Sequence, residues 1–237
     1  MTITTVLFDL DDTLYPYPPC KEAGMDAARA TARGRGYDFN REAFEEFYRT
    51  GRREVKRELV GTAATHERFL YFKRALEERT GEPRAGDALA LGEAFWEAYV
   101  DEMTLFPGVE ETLETLQDAG VDVAIVTNLT TRIQLEKIDR LGLEPYIDLL
   151  LTSEETGREK PGSVMFTLPL ARLESRPSEA VMVGDNIEAD VVGGNAAGLE
   201  TVLFNGGDGD GADGDLEGRR APDHRIDAFG DLTEVVL

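Results

Sequence analysis

Residues 6–14 read Val6-Leu7-Phe8-Asp9-Leu10-Asp11-Asp12-Thr13-Leu14, an apolar run that stops at a cluster of acids. A short, unbroken apolar run of this kind marks a strand buried on both faces. The pattern returns along the chain. Val121 to Val126 ends at Thr127-Asn128, Ile147 to Leu151 at Thr152-Ser153, Ala180 to Val183 at Gly184-Asp185, and Glu200 to Phe204 at Asn205. Between these runs, residues 109–119, 130–141, 163–173 and 187–197 have helical periodicity and length. The alternation predicts an α/β fold with a doubly wound, mostly parallel sheet.

One stretch departs from the alternation. Between Tyr15 and Thr104 there is no strand pattern; apolar residues recur at helical spacing, as in Phe44, Phe47 and Tyr48 and then Phe69, Phe72 and Leu76. Helices are expected near 21–33, 41–59, 65–79 and 87–102. This makes residues 16–104 a helical insert and residues 1–15 and 105–237 the main domain. Pro16, Pro18 and Pro19 on one side and Pro107-Gly108 on the other read as its hinges.

Composition narrows the function. The 237 residues carry a formal net charge of -22, which repels nucleic acid. No apolar stretch is long enough to cross a membrane, and the opening residues lack the basic and cleavable features of a signal peptide. The single cysteine, Cys20, makes no internal disulfide, which suits a reducing cytoplasm. Lysine occurs only at positions 21, 56, 73, 137 and 160. An acidic, lysine-poor surface is expected of a protein kept soluble in concentrated salt. Residues 16–104 hold 15 basic and 17 acidic side chains, so nearly all of the acid excess lies outside the insert. Within it, Arg49, Arg53 and Lys56 or Arg57 share a helix face. That face is either a solvated one or, with His66 and Arg68, a site that draws in an anionic substrate. A Gly- and Asp-rich segment, Asp213-Gly214-Asp215-Leu216-Glu217-Gly218, partly resembles a calcium loop but has His224 where a bidentate Glu would close it. It reads as a solvated loop.

The polar residues that remain stand at the C-terminal ends of the apolar runs, where open α/β sheets bind ligands. They are Asp9, Asp11 and Thr13; Thr127 and Asn128; Asp185, Asn186 and Asp190; and Lys160 from the loop Glu159-Lys160-Pro161. Converging carboxylates repel unless a cation lies between them. Oxygen ligands without a Cys or His cluster favour Mg2+ over zinc. With Lys160, Thr127 and main-chain amides, such a site would hold the oxygens of a phosphoryl group. Asp11 is placed to protonate a leaving alkoxide and then to take a proton from water.

Phe8-Asp9-Leu10-Asp11-Asp12-Thr13-Leu14 resembles the first motif of the haloacid dehalogenase superfamily. Val126-Thr127-Asn128 resembles the second, Lys160-Pro161 the third, and the run from Val183 to Asp190 the fourth, in order and at suitable spacing. The resemblance implies a Rossmann-like core with a helical cap inserted after the first motif. It implies Asp9 as nucleophile and Asp11 as general acid and base, with Thr127, Asn128 and Lys160 at the phosphate. It further implies Mg2+ held by the Asp9 carboxylate, the Asp11 carbonyl and Asp185, with Thr13, Asn186 and Asp190 supporting them. The expected activity is hydrolysis of a small phosphorylated metabolite through an aspartyl phosphate. A sugar-phosphate mutase would use the same core residues. A 2-haloacid dehalogenase would need neither Mg2+ nor an acid at Asp11, and a non-catalytic binding protein would have no reason to keep every group.

Overall fold

The structure, a computed structural model, describes residues 2–206 and 216–237. The first three positions of the calcium-loop-like pattern lie outside the described residues. The chain divides into two compact units, 1–17 with 104–237, and 18–103. The division falls two residues later and one residue earlier than the sequence expectation.

The larger unit holds a six-stranded sheet. Its strands are β1 (Thr5–Phe8), β2 (Asp122–Thr127), β3 (Leu149–Thr152), β4 (Ala180–Gly184), β5 (Glu200–Phe204) and β6 (His224–Ile226). The order is β3-β2-β1-β4-β5-β6 and every pairing is parallel. In register, Phe8 of β1 lies between Ile125 of β2 and Val183 of β4. β2 runs two residues past this level and β4 one, so the residues after the three strands emerge at the same edge of the sheet. On one face Leu7, Ala124, Val126 and Met182 pack with Met165, Phe166 and Leu170. On the other, Phe8 and Phe204 meet Phe229. Burial on both faces is why the strands read as unbroken apolar runs.

The chain's helices are α1 (Tyr17–Gly34), α2 (Arg41–Glu58), α3 (Arg68–Thr80), α4 (Ala85–Asp101), α5 (Val109–Asp118), α6 (Thr131–Leu141), α7 (Ser153–Thr156), α8 (Val164–Arg172), α9 (Val192–Ala197) and α10 (Leu232–Val236). α1 starts earlier than expected. Pro18 and Pro19 occupy its first turn, where the missing N–H has no intrahelical role, and the division between the two units falls just before them.

In the helical unit, Phe44, Phe47, Tyr48, Phe72, Phe95 and Trp96 form a continuous aromatic cluster. α2 and α3 cross at Gly51, where a Cβ would lie 2.0 Å from the Tyr71 carbonyl oxygen; only glycine permits that approach. The basic face of α2 is solvated and partly paired with acids. Arg49 and Arg53 both pair with Glu46, at 3.2 and 2.7 Å, and Arg57 with Glu58 at 3.7 Å. His66 ends a 3-10 turn, and Arg68 is buried with its guanidinium over the rings of Tyr71, Phe95 and Trp96. Neither extends the basic face.

Candidate active site

The ends of β1 and β4 and the loop between α7 and α8 bring four charged side chains together. Lys160 Nζ lies 2.6 Å from Asp9 Oδ1 and 2.7 Å from Asp190 Oδ1. Asp9, Asp185 and Asp190 each present a carboxylate oxygen within 4.8 Å of the others. Asp190 and Lys160 are buried, and Asp9 and Asp185 keep 9% and 8% of their surface.

Local structure fixes each group. The Asp9 N–H donates to the Val183 carbonyl at 2.9 Å, so the sheet ladder runs into the acid itself. Thr13 Oγ1 accepts from the Asp185 N–H at 3.1 Å and donates to Asp185 Oδ1 at 3.2 Å, tying the loop after β1 to the end of β4. After β4 the chain makes a π-helical turn, Ile187–Val191, before α9. Such turns recur at functional sites because they re-aim side chains. Asn186 caps this turn, its Oδ1 accepting from the Ala189 N–H at 2.8 Å, and its own N–H donates to Asp190 Oδ2 at 3.1 Å. Asp190 is thereby folded back over Gly184, where a Cβ would lie 2.2 Å from Asp190 Oδ2. The glycine before Asp185 is a steric requirement of Asp190.

Two expected residues also have protein partners. Asn128 binds the lysine loop: its Oδ1 accepts from the Lys160 N–H at 2.8 Å and its Nδ2 donates to the Lys160 carbonyl at 3.4 Å. Its side chain thus braces the main chain of Lys160, a support that the sequence reading did not include. The Asp11 carboxylate stands apart from the three-acid cluster, where the expectation had placed only its main-chain carbonyl. Its Oδ1 receives Lys137 Nζ at 2.6 Å and the Tyr15 hydroxyl. Thr127 Oγ1 accepts from Gln134 Nε2 at 2.5 Å. Lys137, Gln134 and Tyr15, all without exposed surface, were not among the residues expected at the site. The loops that carry Asp11 and Asn128 contain left-handed residues other than glycine, Asp12 at φ 64° and Leu129 at φ 147°. Such strain persists where the surrounding structure enforces it.

Charge in the cluster is unbalanced. Three carboxylates face one ammonium. Burial pushes the Asp9 carboxyl up to about 7; Lys160 pulls it back, and Asp190 and Asp11 push it further up. Burial, then Asp9, Asp190 and Asp12, push Asp185 up to about 9. Burial works against the charged form of Lys160, but Asp190 and Asp9 together hold its ammonium well above the ordinary lysine range. Each carboxyl shift favours the protonated acid over three like charges held together. A hard divalent cation fits this all-oxygen donor set, and its binding would release those protons.

The chain's similarities agree with this geometry. Residues 3–198 match a protein family described as haloacid dehalogenase-like hydrolase. A ribulose-1,5-bisphosphate 5-phosphatase of Halopiger xanaduensis is 64% identical over 236 residues, covering 98% of this chain and 99% of that one. A glyceraldehyde 3-phosphate phosphatase of Methanopyrus kandleri is 34% identical, over 99% and 97%. Among solved structures, a 2-haloacid dehalogenase from Pseudomonas syringae pv. Tomato superposes with a TM-score of 0.78 at 26% identity, over 99% and 98%.

Proposed function

From the premise that the chain belongs to the haloacid dehalogenase-like hydrolases, and is a phosphatase among them, we propose that it is a Mg2+-dependent enzyme that hydrolyses a small sugar phosphate through an aspartyl phosphate on Asp9. The observation that carries this reading is the acid-rich cluster of Asp9, Asp185 and Asp190 around Lys160.

In this reading Mg2+ would be held by Asp9, the Asp11 carbonyl and Asp185, and would supply Lewis-acid stabilisation of phosphoryl charge. Asp9 attacks phosphorus as the bond to the leaving oxygen breaks. Asp11 gives that oxygen its proton. Water then attacks the acyl phosphate and returns its proton to Asp11, which releases inorganic phosphate and restores the Asp9 carboxylate. Lys160 and the Thr127 hydroxyl bind the phosphoryl oxygens. Thr13, Asn186 and Asp190 support Asp185 and Lys160.

Likeness to a 2-haloacid dehalogenase does not alter the reading, because halide departure requires no proton and gives Asp11 no task. Ribulose-1,5-bisphosphate is the first compound to assay, given the 64% identity to a phosphatase named for it.

The test is release of inorganic phosphate across a panel of phosphorylated sugars, organic acids and nucleotides, with chloride release from a 2-haloacid as control. Phosphate release that EDTA abolishes and Mg2+ restores is expected. Conversion of a sugar 1-phosphate to its 6-phosphate without phosphate release would make the protein a mutase. Chloride release alone would overturn the phosphatase.

The lone cysteine supports a cytoplasmic setting, and no described helix is long and apolar enough to cross a membrane. The net charge of -22 supports adaptation to salt. Molar KCl is expected to raise the midpoint of thermal unfolding, since screening relieves self-repulsion. An unchanged or lower midpoint would remove that part of the reading.

A further inference from the structure

α6 carries two polar side chains with no exposed surface, Gln134 and Lys137. Three residues apart, they lie on one face of the helix, beside buried Ile133 and Ile138. Burying an amide and an ammonium is unfavourable unless both are hydrogen-bonded. Their partners are therefore informative. Gln134 Nε2 donates to Thr127 Oγ1 at 2.5 Å and to the Asn128 carbonyl at 3.2 Å. Lys137 Nζ donates to Asp11 Oδ1 at 2.6 Å, and Tyr15 donates to the same oxygen. One helix edge thus holds a residue from the loop after β1 and another from the end of β2.

We propose that Gln134 and Lys137 are positioning residues for phosphoryl transfer: Gln134 sets the direction of the Thr127 hydroxyl proton, and Lys137 fixes the Asp11 carboxylate. This inference rests on the phosphatase reading above. A threonine hydroxyl has one proton to donate and lone pairs to accept with. The Gln134 amide occupies an acceptor position on Thr127 Oγ1. This orientation is supported by the Asn128 carbonyl, which a flipped amide would meet with its own oxygen, although it leaves Gln134 Oε1 buried with no partner among the described residues. Thr127 Oγ1 must then direct its own proton elsewhere. Among the described residues no acceptor for it is recorded, so it remains available for a phosphoryl oxygen. Lys137 is placed differently. Its ammonium and the Tyr15 hydroxyl converge on one oxygen of Asp11, which fixes the rotation of a carboxylate whose side chain is otherwise 30% exposed. A carboxylate that must reach the leaving oxygen and later a water gains from a fixed direction.

The test is a pair of double-mutant cycles on the Mg2+-loaded enzyme, with an alkyl and an aryl phosphate. Gln134→Met is expected to lower kcat/KM roughly tenfold and to weaken inhibition by orthophosphate similarly, as expected for one misdirected hydrogen bond. In a Thr127→Val background it should add less than about twofold. Lys137→Met is expected to lower kcat more for the alkyl than for the aryl phosphate, and to add nothing in an Asp11→Asn background. Lys137→Arg, which keeps a donor, should recover part of that loss. Unfolding midpoints of every variant are measured alongside, with Gln134→Ala in reserve should the methionine variant not fold. Losses that multiply in the double variants, or a Lys137→Met loss that is equal on both substrates, would overturn the inference and leave α6 a structural support. Wild-type rates in Thr127→Val and Asp11→Asn would instead refute the roles of those two residues in the phosphatase reading.

Discussion

Asp9→Asn is expected to abolish turnover, with a loss on the order of 10⁴-fold or more in kcat, because a neutral amide has no carboxylate oxygen to attack phosphorus. The substitution is nearly isosteric, and the amide can still accept from Lys160, so the fold should survive. Stability measured without metal should move the other way. The Asp9 carboxyl in the folded protein is pushed up to about 7, by burial first and then by Asp190 and Asp11 against the pull of Lys160. The folded chain therefore binds this proton more tightly than the unfolded chain, where an aspartate titrates near ~3.9. Stability falls as pH rises between those two values, and the penalty is fully present above about 7. Asparagine cannot ionise and escapes it. In EDTA at pH 8, Asp9→Asn is expected to unfold at an equal or higher denaturant concentration than wild type, and the advantage should vanish near pH 4. Turnover within tenfold of wild type would remove Asp9 as nucleophile. A variant destabilised at pH 8 in EDTA would show that the carboxylates are not in mutual conflict.

The central strands and the acids that follow them were legible because burial on both faces of a parallel sheet leaves an unbroken apolar run, and a polar residue after it stands out. β6 was not legible. His224–Ile226 is three residues long, at the sheet edge, and only Ile226 is buried. Its place comes from pairing with β5 and from Asp223, whose Oδ2 accepts from the Thr201 N–H at 2.9 Å. Gln134 and Lys137 were missed for another reason. On an amphipathic helix, polar residues are ordinary. Yet positions 133, 134, 137, 138 and 141 form one face of α6, and that face was bound for the core. Two polar residues in an apolar stripe were a readable sign of buried polar contacts, although their partners were not. Thr127 and Asp11 lie 7 and 126 residues away from them. The support that Asn128 gives Lys160 was not legible, because an amide after a strand suggests a ligand contact and only the folded loop shows both its ends on the Lys160 main chain. The basic face of α2 was correctly placed on one side of a helix. Glu46, three residues before Arg49 and seven before Arg53, shares that face by the same helical spacing, and its pairing with both was readable but passed over.

Lys160→Met is expected to lose both activity and stability, and the two losses have separate causes. The ammonium is the positive charge that Asp9 and Asp190 both contact, at 2.6 and 2.7 Å, in a space with almost no solvent. Replacing it with an apolar chain of similar length leaves two buried carboxylates without that partner. Removing one member of a buried ion pair typically costs about 3–5 kcal/mol, which a denaturant midpoint measured without metal would register. Asp9 retains some solvent and can take up a proton. Asp190 is buried and folded over Gly184, so it has little room to move away. The stability loss should therefore shrink at low pH, where both acids are neutral in the folded and unfolded chains alike. Activity should fall by roughly 10²–10³-fold or more, the scale for losing one pre-aligned charge at a phosphoryl group. Lys160→Arg should not restore it, since a planar guanidinium cannot occupy the point between two carboxylates that a compact ammonium fills. The comparison with Asp190→Asn separates the causes. If Asp190 serves chiefly to hold the lysine, Asp190→Asn should lose less activity than Lys160→Met, and adding it to Lys160→Met should restore stability by removing one stranded charge. A double variant no more stable than Lys160→Met would show that Asp190 is not the group the lysine neutralises. Full activity in Lys160→Met would take the lysine out of phosphate binding.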